Sequence, residues 1–338
     1  MSDNLVFNCG YYLVDLSRVL DVVNKRKTRK ILLHAPDGLK HLYVCIQGVL
    51  EKHGVFEIYF SSNPGYGACD IPFEEASVIG VDLIVHIGHE RYPFEILSNQ
   101  DLVVYVPVYI VLDPSLELVE KLVSILRENN YKRLTISSTL IDKFVRGKIR
   151  EHLLNNGFTI YEIDKPVLGC MYRHIVVFDK NVDAHIIITG GLFHPLGLGL
   201  VSRRPVVAVD PFMGKIWFAH VEAEKILRKR LFNVVKAKNS LSTGLIVGTR
   251  PGQYRVSLVE GLKKHAMSKG YRVYVISTSY LTIERLASID SALNLDFYVV
   301  TSCPRLPIDD LGEFHKPVLT PGEFLMIIRN VDEYIYPW

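Results

Sequence analysis

"LEKHGVFEIYF" (50–60), "LLNNGFTIYEI" (153–163) and "AMSKGYRVYVI" (266–276) decide the fold. In each, a helical tail runs into a glycine, Gly54, Gly157 or Gly270, and a β-alternating segment follows directly. A glycine just past a helix end suits the left-handed C′ position. A helix delivered that tightly into a strand is part of a βαβ unit, which implies a parallel sheet.

Some twenty-five residues upstream of these points lie "RKILLHAPDG" (29–38), "KRLTISSTLI" (132–141) and "TGLIVGTRPG" (243–252), each a short buried strand followed by a turn. Downstream come "VDLIVHIGH" (81–89), "VDAHIIITG" (182–190) and "LDFYVVTSC" (295–303), with Asp82, Asp183 and Asp296 at the second position. A fourth beat follows in "DLVVYVPVYI" (101–110), "RPVVAVDPF" (204–212) and "HKPVLTPGEF" (315–324). Helical patterns precede the blocks at 11–26, 114–130 and 216–235, the second with Asp113 as the expected N-cap and Pro114 at the first helical position. The expected fold is α/β: three similar domains, 1–112, 113–213 and 214–338, each a four-stranded parallel sheet flanked by helices, arranged about a pseudo-threefold axis.

Composition fits this reading. The 338 residues are 49% hydrophobic and 22% charged, so the chain can bury large cores. A formal charge of +3 argues for no nucleic acid, and the basic runs "NKRKTRK" (24–30), "SRRP" (202–205) and "LRKR" (227–230) lack interleaved aromatics. No apolar run approaches the roughly 18 residues that span a bilayer, and the first residues have no signal-peptide pattern. The expectation is a cytoplasmic protein whose five cysteines are reduced, with no disulfide.

The cysteines fall into two groups. Cys9, near the start, and Cys45, in the apolar helical stretch "HLYVCIQGVL", read as small packed hydrophobes. Cys69 in "GYGACD" and Cys170 in "PVLGCMYR" lie just past the second strand of their blocks, and Cys303 in "TSCPRL" lies just past the third. Each emerges at the carboxyl end of a parallel strand, the edge where open α/β sheets bind ligands. Gly65 and Gly67 read as slack that lets the first loop carry Cys69 inward. Any one of these cysteines could be an ordinary buried residue, but one per repeat on the same edge favours a shared metal. Structural zinc normally adds a fourth Cys or His at a paired spacing, absent here. Thiolates also suit iron–sulfur clusters, and three of them leave one iron of a [4Fe-4S] unit open.

In order, "PDGL", "GYGACD", "HIGH", "VLGC", "GGLFHP", "VDPF", "GTRPGQ" and "SCPRLPID" resemble the archaeal diphthamide-biosynthesis enzymes, the 2-(3-amino-3-carboxypropyl)histidine synthases, from about residue 29 to about 324. The resemblance implies a homodimer with a [4Fe-4S] cluster on Cys69, Cys170 and Cys303. It implies a transferase that moves the 3-amino-3-carboxypropyl group of S-adenosylmethionine to an imidazole C2 of elongation factor 2 by noncanonical radical chemistry. Methylthioadenosine is released, and an external donor supplies the electron. With S-adenosylmethionine as co-substrate, Gly190, Gly191 and His194 of "TGGLFHP", Arg250 and Gln253 of "GTRPGQ", and His89 become candidate pocket residues. Arg250 suits a bidentate pair with the methionyl carboxylate. A tight turn explains Gly190 and Gly191 equally well, a surface salt bridge is the alternative for Arg250 that its loop position favours less, and either histidine can be structural. The competing readings are a quinolinate-synthase-like dehydrating condensation on a [4Fe-4S] cluster and a non-enzymatic structural metal clasp.

Overall fold

Gly54, Gly157 and Gly270 take φ of 85°, 85° and 89°, each at a helix end. The computed structural model in which they are seen describes residues 5–55, 57–91 and 100–336. Each glycine delivers the chain into the second strand of its block: Glu57–Phe60, Thr159–Tyr161 and Arg272–Thr278. The first strands are Lys30–His34, Arg133–Ser138 and Ser242–Gly248. The third are Leu83–Ile87, Ala184–Ile188 and Phe297–Val300, and the fourth Val103–Val106, Val206–Asp210 and Val318–Leu319. In all three sheets the order is second, first, third, fourth, with every one of these pairs parallel. The first and third strands are buried on both faces almost throughout, which explains how rich they are in apolar residues.

The chain divides into two compact units, Met1–His220, which holds the first two sheets, and Val221–Trp338, which holds the third. Every sheet has its own apolar core. Ile31, Leu33, Val85 and Ile87 anchor the first, Ile136, Ile186 and Val207 the second, and Leu245, Phe297 and Val299 the third.

The repeated aspartates do a job that spacing alone did not reveal. Asp82 Oδ2 accepts from the N–H groups of Arg29 and Lys30, Asp183 Oδ2 from Lys132 and Arg133, and Asp296 Oδ2 from Leu241 and Ser242, at 2.8–3.0 Å. Each carboxylate ties the start of its first strand to the start of its third. The Arg133 side chain, with the Arg133 and Lys132 N–H groups, holds the Asp183 carboxyl at about 2, against 3.8 unperturbed. Because the folded value lies below the unfolded one, the bonus is whole above pH 3.8 and fades as pH falls toward 2. Asp183→Ala is expected to lower stability at neutral pH by about 1–2 kcal/mol, the ion pair itself being screened by solvent. The loss should shrink through that acid window; urea midpoints from neutral to acid pH that stay a constant distance apart would refute the clamp.

Four expectations about elements are corrected. The span 11–26 is not one helix: Tyr12–Asp15 is a strand, and the helix starts at Ser17. That strand joins Val6–Cys9 and Val108–Ile110 in a separate antiparallel sheet, so "VVYVPVYI" splits at Pro107 between two sheets. The helix Leu116–Glu128 is capped by Ser115, whose hydroxyl accepts from the Leu118 N–H, while Asp113 pairs with Lys148 instead. The helical pattern at 216–235 begins as a strand, Lys215–Phe218, antiparallel to Val206–Asp210, before the helix Ala219–Ala237. Among the described residues, no helix is long and apolar enough to cross a membrane.

Candidate functional site

Cys69, Cys170 and Cys303 are in no disulfide, and each has part of its surface accessible. Each lies beyond the carboxyl end of a parallel strand, as expected: Cys69 after Glu57–Phe60, Cys170 after Thr159–Tyr161 and Cys303 after Phe297–Val300. In each case a close approach that only glycine allows fixes the neighbouring chain. A Cβ on Gly65 would stand 2.9 Å from the carbonyl carbon of Ala35, just past the first strand. Gly65 is therefore a packing contact and not slack. A Cβ on Gly197 would stand 2.1 Å from the hydroxyl of buried Tyr172, two residues past Cys170. A Cβ on Gly248, at the end of Ser242–Gly248, would stand 2.5 Å from Cβ of Ser302, the residue before Cys303. Beyond Cys303, buried Arg230 donates to the Pro307 carbonyl at 2.6 Å and to Glu323 Oε1 at 2.8 Å, bracing the "PRLPID" turn. Arg305, in the same turn, pairs with Asp309.

Cys9 and Cys45 do not belong with these three, but neither are they reduced. They form a disulfide across 36 residues, with Cα atoms 6.0 Å apart, contrary to the expectation of five thiols. Cys9 ends a strand and Cys45 sits on the helix Tyr43–Lys52, and both pack on the first core, which brings them within bridging reach. The three cysteines outside the disulfide are thus partly accessible thiols past strand ends, a donor type that suits iron–sulfur chemistry, and among the described residues no group of three or more His, Cys, Asp or Glu side chains is gathered to hold a metal ion.

A sheet of order 2-1-3-4 opens its ligand crevice where the strand order reverses, at the carboxyl ends of its first and third strands. The candidate pocket residues sit at such points. Gly190 and Gly191 follow Ala184–Ile188; Gly191 needs its glycine, with φ 78°, whereas Gly190 has φ in the ordinary range and no close neighbour. His194 is the second residue of the helix Phe193–Val201, half-buried. Gly191 also borders a cavity of about 370 Å³ with Leu192, Asp210, Lys215 and Trp217. Asp210 is committed to the chain there, accepting from the N–H groups of Phe212 at 2.9 Å and Met213 at 3.0 Å. In the second unit, Arg250 and Gln253 follow Ser242–Gly248, and both are buried. The buried Arg250 guanidinium lies 4.2 Å over the Tyr280 ring.

His89 completes the set at the first sheet, and it has partners that sequence reasoning missed. His34 and His86 are register partners on the first and third strands, and neither is exposed. Their Nδ1 atoms lie 2.9 Å apart, and His86 Nε2 lies 3.0 Å from His89 Nδ1. Fifty-two residues separate His34 from His86, so no local pattern marks the pair. The one available signal was two histidines at the ends of otherwise apolar strands.

The comparisons agree with this architecture. The family model described as "Putative diphthamide synthesis protein" matches residues 35–336. The 2-(3-amino-3-carboxypropyl)histidine synthase of Pyrococcus horikoshii is 29% identical, covering 94% of this chain and 91% of its own. Subunit 1 of the corresponding synthase of Eremothecium gossypii is 27% identical over 96% of this chain and 78% of its own. A crystal structure of Dph2 from Pyrococcus horikoshii with a 4Fe-4S cluster shares the fold, with TM-score 0.80 and 24% identity over 98% of this chain and 94% of that one.

Proposed function

The chain belongs to the diphthamide-synthesis protein family, and from that membership we propose that it makes the first carbon–carbon bond of diphthamide. It transfers the 3-amino-3-carboxypropyl group of S-adenosylmethionine to C2 of a histidine imidazole on elongation factor 2 and releases methylthioadenosine. The observation that carries this reading is the one cysteine past a strand's carboxyl end in each repeat that no disulfide takes, the remaining two being paired with each other. In this reading the repeats 1–112, 113–213 and 214–338 act as three domains about a pseudo-threefold axis, and Cys69, Cys170 and Cys303 would hold a [4Fe-4S] cluster.

Such a cluster, when bound, supplies one electron from an external donor and offers an open iron. That chemistry suits an imidazole carbon, a poor nucleophile that an ordinary displacement would bypass in favour of a ring nitrogen. The chain's own residues supply orientation. Arg250, 4.2 Å over the Tyr280 ring, carries a guanidinium suited to the methionyl carboxylate. Gln253, Gly190, Gly191 and His194 line strand-end turns where backbone and side-chain donors can meet the rest of the nucleoside. The enzyme works as a homodimer in the cytoplasm.

Anaerobically purified protein is expected to be brown with roughly four iron atoms per chain. After dithionite reduction it should convert S-adenosylmethionine to methylthioadenosine and modify elongation factor 2 in step. Deoxyadenosine as product, or a colourless zinc protein, would overturn the reading.

A further inference from the structure

His34, His86 and His89 form a continuous chain of hydrogen-bonded imidazoles from the interior of the first sheet to its carboxyl edge. Buried polar groups among apolar strands cost stability unless paired, and here the three imidazoles pair in sequence. His34 and His86 share a face with Leu32 and Ile84, where an aliphatic pair would pack without that cost. The Tyr105 ring lies edge-on to His86 at 5.4 Å. Gly88, with φ 90°, turns the chain so that His89 stacks back on His86 at 5.1 Å and 19°. Only His89, at the open end, is partly accessible.

A neutral imidazole carries one N–H, so such a chain has two settings. In one, every N–H points inward and the outer nitrogen of His89, Nε2, is a bare acceptor. In the other, every N–H points outward and that nitrogen is a donor. The proposed transfer decides which is needed. It breaks the sulfonium carbon–sulfur bond, whose electron pair leaves with methylthioadenosine, forms a carbon–carbon bond at C2, and breaks the C2–H bond. The electron lent to the sulfonium is given back as the C2 hydrogen leaves, so none is consumed and the positive charge of the sulfonium departs as one proton. That proton needs a base.

We propose, resting on the functional reading above, that His34 and His86 are positioning residues that hold His89 with Nδ1 protonated and Nε2 bare, and that Nε2 takes the C2 proton. The electrostatics are compatible. Burial, then the neighbouring His89 and His34, keep His86 well below the ordinary imidazole value, and desolvation brings His89 down to about 4. The chain is therefore neutral at pH 7, ready to accept. A weak base suffices, because losing hydrogen from a tetrahedral C2 restores an aromatic ring.

The tautomer can be read in the cluster-free protein by ¹⁵N imidazole spectra. His89 is expected to carry its proton on Nδ1 in the wild type and to lose that preference in His86→Leu. A wild-type His89 protonated on Nε2, a measurement that needs no variant, would overturn the proposal, as would a His89 signal unmoved by His86→Leu. With reduced, loaded enzyme and elongation factor deuterated at C2, His86→Leu should slow transfer roughly 100-fold more than methylthioadenosine release. A deuterium isotope effect should then emerge. Transfer and release falling together would refute the relay. Wild-type enzyme that yields no methylthioadenosine would instead refute the functional reading, leaving the spectra to judge the tautomer.

Discussion

Alanine at any one of Cys69, Cys170 or Cys303 is expected to strip the protein of iron and abolish transfer, while alanine at Cys9 or Cys45 spares both. The two groups of cysteines separate because they stabilise different things. A cluster that would be held by three thiolates has no protein ligand to spare, and if a displaced supporting residue around a metal already weakens binding 10–100-fold, loss of a ligand itself exceeds about 100-fold. The loops that carry the three thiols stay pinned by backbone packing, so the cluster-free fold should melt within a few degrees of the wild type. Cys9 and Cys45 behave in the opposite way. Their disulfide closes 36 residues of chain around the first core, and opening a loop of that length costs about 4 kcal/mol in the chain-entropy model. Cys45→Ala should therefore lower the melting temperature under non-reducing conditions while iron content holds. Iron lost from Cys45→Ala but kept in Cys303→Ala would reverse the ligand assignment.

Sequence carried much of this fold because its strongest signals are local demands. A left-handed residue past a helix end asks for glycine, so Gly54, Gly157 and Gly270 marked three βαβ joints, and φ near 85–89° confirms each. The strand-end positions of the cysteines were legible for the same reason, since strand and turn patterns lie within a few residues of them. What stayed hidden is long-range. Nothing near Cys9 points to Cys45, and nothing near His34 points to His86. "YLVD" satisfies a helical period and a strand period equally over four residues, and only its pairing with Val6–Cys9 and Val108–Ile110 settled it as strand. The aspartates were visible as a repeat, but their purpose required the first strand to lie beside the third.

Gly65 is the instructive misreading, and it leads to the second large effect. Glycine in a loop suggests freedom, yet a side chain there would collide with the Ala35 carbonyl group and the Pro36 nitrogen at 2.9–3.0 Å. Backbone cannot swing aside as a flexible side-chain tip can, so Gly65→Ala must push the Cys69 loop off the first sheet. Gly248→Ala meets the Cβ of Ser302 at 2.5 Å, and because a Cβ moves only with its own backbone, Cys303 moves too. Gly197→Ala presses on Tyr172 from hydroxyl to ring, at 2.1–2.8 Å, and that ring is buried. Overpacking of this kind costs about 1–3 kcal/mol. The functional loss should be larger than that, because displacing reacting groups by about 1 Å costs on the order of 100-fold in rate. Each of the three variants is therefore expected to fold, to hold substoichiometric iron, and to lose roughly 100-fold in transfer. Gly147→Ala and Gly261→Ala are the matched controls, at helical sites where an added Cβ meets nothing within 4 Å. There alanine should raise stability by up to about 1 kcal/mol and leave iron intact. Iron content that fell equally in the controls would make the losses a general intolerance of the fold. Iron retained in Gly65→Ala, Gly197→Ala and Gly248→Ala would mean that the cysteine loops can shift without losing their hold.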